Sequence, residues 1–349
     1  GCDLGLASCT CCQAGFGKSG ARFIVSTIFA VNMIGWFGIQ NGVCGEAFSN
    51  AMLAMTGWDI PVVVSNTIWG IIMLLTAVYG VHALEKLDKI SIPLLMIIMC
   101  YGTFLAFKVY GTGNLNDEGT VQSMSFMSGV ALSFNFTAVG TITGPDYTRF
   151  QKSRKDTVKS VFYGVFPMGV ITLIMGIVLT KLSGQYDISM VLIEVGLPLL
   201  GIIALVISTW TTNSTNAYSA GLNIVMALKL KDNRRREATL ISGIVGIVLC
   251  DLGILGHIEG VLSLLSYVVC PVGGVILADY WVVGKGKAKN FRPQDGVNWA
   301  GVIAWALGAI ISYTLVKIEF VGIIIGFVIY LIAERFIPSA SRDNAENIA

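Results

Sequence analysis

The chain has 349 residues, of which 54% are hydrophobic and 13% are charged. Soluble globular proteins have about 45–50% apolar and about 25% charged residues, so this composition excludes both a soluble globular protein and a disordered chain. The net charge of +2 gives no sign of a nucleic-acid partner. The composition predicts an all-α integral membrane protein that crosses the lipid bilayer several times.

Ten stretches of about 20 mostly apolar residues follow one another, and that is the length a transmembrane helix needs. We predict spans at 21–43, 60–84, 91–110, 124–145, 159–182, 195–227, 239–256, 258–283, 298–316 and 318–337. Every connection between them is short. We therefore expect a single transmembrane domain over 21–349, and we expect 1–20 to be a cytoplasmic segment or the end of a helix that begins before Gly1.

The basic residues alternate between the two sides of these predicted spans. Lys108, Lys181 and Lys317 lie in the connections of one side, and the other 20 of the 23 lysines and arginines lie on the opposite side. Because basic loops remain in the cytoplasm, both chain ends are predicted to face the cytoplasm, with the protein in the plasma or inner membrane.

The first polar segment inside a span surrounds Trp36. Asn32, Trp36 and Gln40 are spaced by four residues, so they form one stripe on a helix, and Gly35 and Gly38 allow close approach to it. Packing between helices would explain such a stripe. A flat aromatic ring beside amides also suits a planar heterocycle.

The second polar segment, 133–146, mixes Asn, Thr, Gly and Pro at the depth of the bilayer. A continuous lipid-facing helix would avoid this mixture, so we predict a broken helix. Transporters use the backbone groups of broken helices to hold substrates and ions. A kink without a function is the alternative.

The third polar segment, Ser208–Asn216, has eight polar residues among nine. On a helix, Ser208, Thr211, Thr212 and Thr215 share one face. Neutral oxygens grouped in this way suit a hard cation such as sodium. Helix packing through hydroxyl groups is the alternative.

The chain offers no candidates for catalysis, so we expect that it is not an enzyme. Its two histidines, His82 and His257, are far apart, and there are no paired carboxylates. Asp251 and Asp279 lie near the ends of their spans, which favours sodium over a proton as a coupling ion. The cysteines of 9–12 lack a second CxxC pair, and we expect no resident cofactor.

Four ordered motifs resemble those of the cytosine permeases in the nucleobase–cation symporter family. They are Gly35-Trp36-Phe37-Gly38, Gly140-Thr141 with Asp146 and Arg149-Phe150, Trp210-Thr211-Thr212-Asn213 with Tyr218, and Pro271-Val272-Gly273-Gly274 with Ala278-Asp279-Tyr280. The resemblance implies a twelve-helix, leucine-transporter-type fold of two inverted five-helix repeats plus two helices. It also implies that the ten spans are the third to the twelfth helix, so that the first two would precede Gly1.

The resemblance also implies the substrate-binding residues. Trp36 and Phe136 would hold a base between their rings, and Asn213 would hydrogen-bond it. Asn135 lies at a neighbouring polar position. Asn216 presents a further amide on an adjacent face of the helix.

For the ion, the resemblance implies that sodium is bound by the hydroxyls of Thr211 and Thr212 and by the carbonyl of Ser208. The remaining family ligands would be carbonyls of the first family helix. We accordingly expect sodium as the coupling ion, with a proton as the less favoured choice, and a protein that works as a monomer.

One position departs from the cytosine permeases, which place a glutamine three residues before the tryptophan, where this chain has Met33. Its amide is Gln40, four residues after Trp36, as in the hydantoin and allantoin members. The expected function is cation-coupled import of a nucleobase or related heterocycle by alternating access. The alternatives are an amino acid or vitamin precursor as substrate, a membrane enzyme, and a channel.

The predicted topology can be tested with single cysteines placed in a cysteine-free background. Ser153→Cys lies in a strongly basic connection, so it should resist an impermeant thiol reagent in intact cells and react after permeabilisation. Rapid labelling of intact cells would contradict the topology.

Overall fold

The computed structural model describes residues 1–79, 81–116, 125–185 and 187–337, and within these ranges every regular element is a helix. Two predicted spans each include one residue outside these ranges, residue 80 in the span 60–84 and residue 124 in the span 124–145. The last part of the predicted domain, 338–349, also lies outside the described residues. Ten helices of the described chain have 13 or more residues. They are α1 (Ser26–Thr56), α2 (Val62–Tyr79), α3 (Val81–Tyr110), α4 (Phe126–Ile142), α5 (Phe166–Ser183), α6 (Pro198–Ala227), α7 (Arg235–Asp251), α8 (Ile258–Leu277), α9 (Trp299–Ile311) and α10 (Val321–Phe336).

Seven helical stretches in the described ranges are long and apolar enough to cross a membrane. They are Gln13–Thr56, Val62–Tyr79, Lys86–Tyr110, Phe126–Thr148, Arg154–Ser183, Ile254–Val283 and Trp299–Val316. The other long helices are α7 and α10, with 17 and 16 residues, and α6, which contains the polar segment Ser208–Asn216. The structure thus agrees with an all-helical membrane protein.

The first helix is longer than predicted. Residues 44–56, predicted as a loop, continue α1 as regular helix to Thr56. α1 ends where Gly57 adopts the left-handed conformation with φ 75°, and the Gly57 N–H donates to the carbonyl of Leu53 at 3.0 Å.

The break predicted within 133–146 lies near the end of this range, where α4 ends at Ile142 and a separate short helix starts at Pro145. α4 is continuous to Ile142. The hydroxyls of Thr137 and Thr141 donate to carbonyls three and four residues earlier, at 3.1 and 2.9 Å. Because these polar groups bond within their own helix, they do not interrupt it.

Two of the other predicted ends also move. The predicted 195–227 span starts later, at Pro198, after a separate helix over Ile188–Glu194. α7 starts at Arg235 and ends at Asp251, and a short 3₁₀ turn leads from there into α8.

α1 joins two groups of helices. α6 packs against α1, α2 and α7, and α8 packs against α4, α9 and α10. Phe37 of α1 belongs to an apolar cluster with Met73 and Ile247 in the first group. The neighbouring Trp36 belongs to the larger cluster that contains Ala138 and Val269 in the second group. Successive residues of α1 therefore contribute to both cores.

Residues 8–20 pack into the larger core. Phe16 is fully buried, and its carbonyl accepts the backbone N–H of Asn298 at 2.8 Å. A Cβ atom on Gly301 in α9 would lie 1.9 Å from the carbonyl oxygen of Gly15. This contact between backbones requires a glycine.

A polar cluster joins three distant segments at the end of the bundle where α8 finishes. Nε of Arg154 donates to both carboxylate oxygens of Asp3 at 2.8 Å, and the hydroxyl of Tyr280 donates to the same carboxylate. The hydrogen bonds from Arg154 hold the pKa of Asp3 at about 2. Asp3 is therefore ionised at neutral pH.

The contact between α8 and α10 gives a stability prediction. A Cβ atom on Gly274 would lie 2.2 Å from the carbonyl oxygen of Ile323, whereas one on Gly260 of the same helix would meet nothing within 4 Å. Gly274→Ala should therefore destabilise the protein by about 1–3 kcal/mol, the typical cost of overpacking. Thermal unfolding in detergent measures the effect, with Gly260→Ala as the matched control. Equal melting temperatures for the two variants would contradict the close packing.

Candidate functional site

The two aromatic residues predicted to hold the base face each other across α1 and α4. The ring centroids of Trp36 and Phe136 lie 5.6 Å apart with an interplanar angle of 58°. Trp36 is 8% exposed and Phe136 is 51% exposed. Sequence separation alone would not have shown that these rings meet.

The two rings contact each other in this conformation. A planar ligand stacked between parallel rings needs about 3.5 Å on each side, hence about 7 Å between the ring planes. The rings must therefore move apart and become more parallel to hold a base. The half-exposed Phe136 is the ring with more freedom to move.

Asn213 lies on the face of α6 that packs against α1 and α2. Its side chain is fully buried, and Nδ2 donates to the carbonyl of Phe37 at 3.2 Å. Nδ2 also contacts Sδ of Met73 at 3.5 Å. Its Oδ1 has no partner in the described chain. Because the bond to Phe37 fixes the orientation of the amide, Asn213 offers a ligand an acceptor and not a donor.

Asn135 and Asn216, two further predicted amides, also have unpartnered atoms among the described residues. Nδ2 of Asn216 and Oδ1 of Asn135 are both buried without a hydrogen-bond partner. Folded proteins rarely leave buried polar atoms unpaired, so such atoms mark places that water or a ligand completes.

Gln40 lies one turn beyond Trp36 and lines a cavity of about 1120 Å³ between α1, α2, α3 and α6. Ser208 and Thr212 line the same cavity. Trp36, Phe136 and Asn213 are outside its lining, so the structure divides the predicted substrate residues between the cavity and the core beside it. The cavity exceeds the usual 300–1,000 Å³ of a small-molecule site.

Carboxylates are the charged groups in the lining of this cavity. Glu46, Asp187 and Asp251 line it, and no lysine, arginine or histidine does so among the described residues. Asp251 is positioned by buried Asn66, whose Nδ2 donates to Asp251 Oδ1 at 3.1 Å. Asn66 was not predicted as a site residue, although a polar residue inside the apolar span 60–84 indicates a functional or packing role.

The three predicted sodium ligands lie together at one place on α6. The hydroxyls of Thr211 and Thr212 donate to the carbonyl oxygen of Ser208 at 3.0 and 3.1 Å. Three oxygens thus converge, and the donor set fits a hard cation. To bind one, the hydroxyl protons must turn away from the carbonyl, and further ligands are needed because hard-cation sites typically use about six.

Comparisons with known proteins identify the family of the chain. Residues 1–334 match the family described as permease for cytosine/purines, uracil, thiamine, allantoin. The chain is 31% identical to the cytosine permease of Escherichia coli strain K12 over 332 residues, which are 93% of this chain and 76% of the relative. It is 25% identical to the allantoin permease of Bacillus subtilis strain 168, covering 98% of this chain and 80% of the relative.

The fold is similar to that of a solved transporter. Mhp1, a nucleobase-cation-symport-1 family transporter in a closed conformation with bromovinylhydantoin bound, superimposes with a TM-score of 0.77 at 19% identity. The match covers 96% of this chain and 80% of that structure. The resemblance inferred from the four motifs is confirmed, and the protein is a transporter and not an enzyme. The chain belongs to the family of permeases for cytosine, purines, uracil, thiamine and allantoin.

Proposed function

We propose that this permease imports a planar nucleobase or related heterocycle, of the cytosine, purine, hydantoin or allantoin type, together with a cation. The observation that carries the proposal is the contact between Trp36 and Phe136 at 5.6 Å, because two neighbouring aromatic rings can hold a flat ring once they separate and become parallel. Oδ1 of Asn213 supplies a fixed acceptor, and Gln40 adds an amide in the adjoining cavity.

Transport would proceed by alternating access. The substrate would enter the cavity lined by Gln40, and the rings of Trp36 and Phe136 would separate to admit it. Closure of the rings on the heterocycle would exclude water and strengthen the hydrogen bond to Asn213. Release would follow when the opposite side of the site opens.

The proposal includes a full family architecture. The ten long helices would all cross the membrane, as the third to the twelfth helix of a twelve-helix fold with two inverted five-helix repeats. Both chain ends would face the cytoplasm of the cell membrane, with one transporter domain over 21–349. The protein would work as a monomer.

Sodium is the proposed coupling ion. The convergence of Ser208 O with the hydroxyls of Thr211 and Thr212 supports this choice. Within the described ranges, no group of three or more His, Cys, Asp or Glu residues could hold a metal ion. A proton remains the alternative coupling ion, and the dependence of uptake on sodium and proton gradients discriminates between them.

Two other transport functions are separated by simple assays. A permease of this fold that carries an amino acid or vitamin precursor would show competition by those compounds and not by bases. A passive channel would show uptake that does not depend on an ion gradient.

The base site predicts a loss of binding in Trp36→Ala. Stacking on an aromatic ring contributes about 1–3 kcal/mol, so Trp36→Ala in the full-length protein should weaken binding by about 10-fold or more. Competition for uptake by cytosine, uracil, hydantoin and allantoin measures the change. Trp58→Ala is the control, because Trp58 is exposed beyond the end of α1. Binding like that of the parent in Trp36→Ala would place the site elsewhere.

The ion site predicts a loss of sodium dependence when two hydroxyls are removed. Thr211→Ala with Thr212→Ala should abolish sodium-stimulated uptake by the full-length protein, since two of three converging oxygens are lost. Thr103→Ala with Thr314→Ala is the control, because these hydroxyls also bond the carbonyl four residues earlier, at 2.8 and 2.7 Å. An unchanged sodium response in the first variant would overturn the site.

A further inference from the structure

Three polar side chains near the ring pair are buried without a complete set of partners. In the described chain, Oδ1 of Asn32, Oδ1 of Asn135 and Oγ of Ser266 have no hydrogen-bond partner. The three residues are 1%, 3% and 1% exposed. Two of them, Asn32 and Ser266, have no role in the site described above. Unpaired atoms of this kind are uncommon in native proteins and call for an explanation.

α4 and α8 run side by side, and the middle of α4 and the first part of α8 both contact the segment before α10. The ring of Phe134 in α4 lies 5.6 Å from the ring of Phe320. The neighbouring Glu319 accepts a hydrogen bond from the hydroxyl of Ser263 in α8. Phe134 and Ser263 are therefore at similar positions along the axes of the two helices.

A second contact fixes the relative direction of the two helices. A Cβ atom on Gly273 of α8 would lie 3.0 Å from Cγ1 of Ile142 in α4. In both helices the residue number increases from the first contact to the second, so α4 and α8 are parallel. Asn135 and Ser266 lie between the two contacts, at heights that differ by less than about one turn of helix.

α1 brings Asn32 to the same region. A Cβ atom on Gly35 would lie 3.2 Å from the side chain of Leu265, the residue before Ser266. Trp36 contacts Phe136, the residue after Asn135. Asn32 is one turn before Trp36 on the same face of α1. The three residues with unpaired atoms therefore lie on three helices, within about one helical turn of the height of the ring pair.

The orientation of the Asn32 amide is fixed. Nδ2 of Asn32 donates to the carbonyl of Ile28 at 2.9 Å, so exchanging its oxygen and nitrogen would place two oxygens together. Oδ1 of Asn32 is therefore an acceptor, as Oδ1 of Asn213 is. A ligand that reached both residues would meet an acceptor at each, and the hydroxyl of Ser266 can donate or accept.

We propose that Asn32 and Ser266 bind the polar edge of the heterocycle and select rings with N–H groups on two edges. This inference rests on the proposed function, since it places the ligand beside Trp36 and Phe136. Oδ1 of Asn213 accepts a hydrogen bond from one N–H group of the heterocycle, and Oδ1 of Asn32 accepts one from a second N–H group. The hydroxyl of Ser266 forms a hydrogen bond with a neighbouring ring atom. Methylation of either nitrogen removes a donor and leaves a buried acceptor unpaired.

The test measures uptake by the full-length protein of whichever of cytosine, uracil, hydantoin and allantoin it transports best. N-methylated derivatives of that compound serve as competitors. Asn32→Leu should weaken binding of the unmethylated compound about 10-fold, the effect of one buried hydrogen bond. Binding of one derivative, methylated at the nitrogen that faces Asn32, should change far less. Asn223→Leu is the matched control, because buried Asn223 bonds the carbonyl of Ser219 in the same way, at 2.9 Å.

Ser266 provides a second and independent measurement. Ser266→Ala should weaken binding, and Ser266→Thr should restore it because the hydroxyl is retained. Ser242→Ala is the control, since the Ser242 hydroxyl already donates to the carbonyl of Thr239 at 2.9 Å. If Asn32→Leu does not reach the membrane, the Ser266 variants decide the question.

The outcomes separate this inference from the function on which it rests. Parent-like binding in both Asn32→Leu and Ser266→Ala, or equal weakening of every methylated and unmethylated compound, overturns the inference. If Trp36→Ala still loses binding in the same experiment, the proposed function stands. If Trp36→Ala also binds the substrate like the parent, the inference and the proposed function are both overturned.

Discussion

The structure depends on one constraint, the high cost of an unsatisfied polar group in the interior of a membrane bundle. Its backbone groups are satisfied by helices, and many polar side chains bond a carbonyl of their own helix, as Thr211 and Thr212 bond Ser208. The buried polar atoms that have no hydrogen-bond partner in the described structure indicate where a ligand or water binds. Asn213 and Asn32 each donate through nitrogen and leave their oxygen unpaired within the described structure, so each keeps one buried acceptor for a ligand or water.

Much of the fold follows from the sequence, because apolar length and charge placement are local properties. Each predicted span overlaps a long helix, and the four ordered motifs together identified the family. The ends were less predictable. Nothing in the composition of 44–56 distinguishes a loop from a helix that extends past the membrane, and the decisive residue is Gly57 in its left-handed conformation.

The candidate site could be predicted in part. The polar stretches indicated Asn135, Thr211 and Asn213, and the resemblance paired Trp36 with Phe136. The direction of an amide depends on partners from other helices, such as the carbonyl of Phe37, which a single sequence does not reveal. For the same reason Ser266, one hydroxyl in a long apolar helix, gave no signal.

The close approach of α8 and α10 at Gly274 has a consequence for motion. Where two helix backbones touch, packing is tight on both sides, so this half of α8 and α10 must tilt together as one rigid unit. At the other end of α8, a Cβ atom on Gly260 would meet nothing within 4 Å. Gly274 therefore couples the motions of α8 and α10, a restraint that Gly260 does not impose.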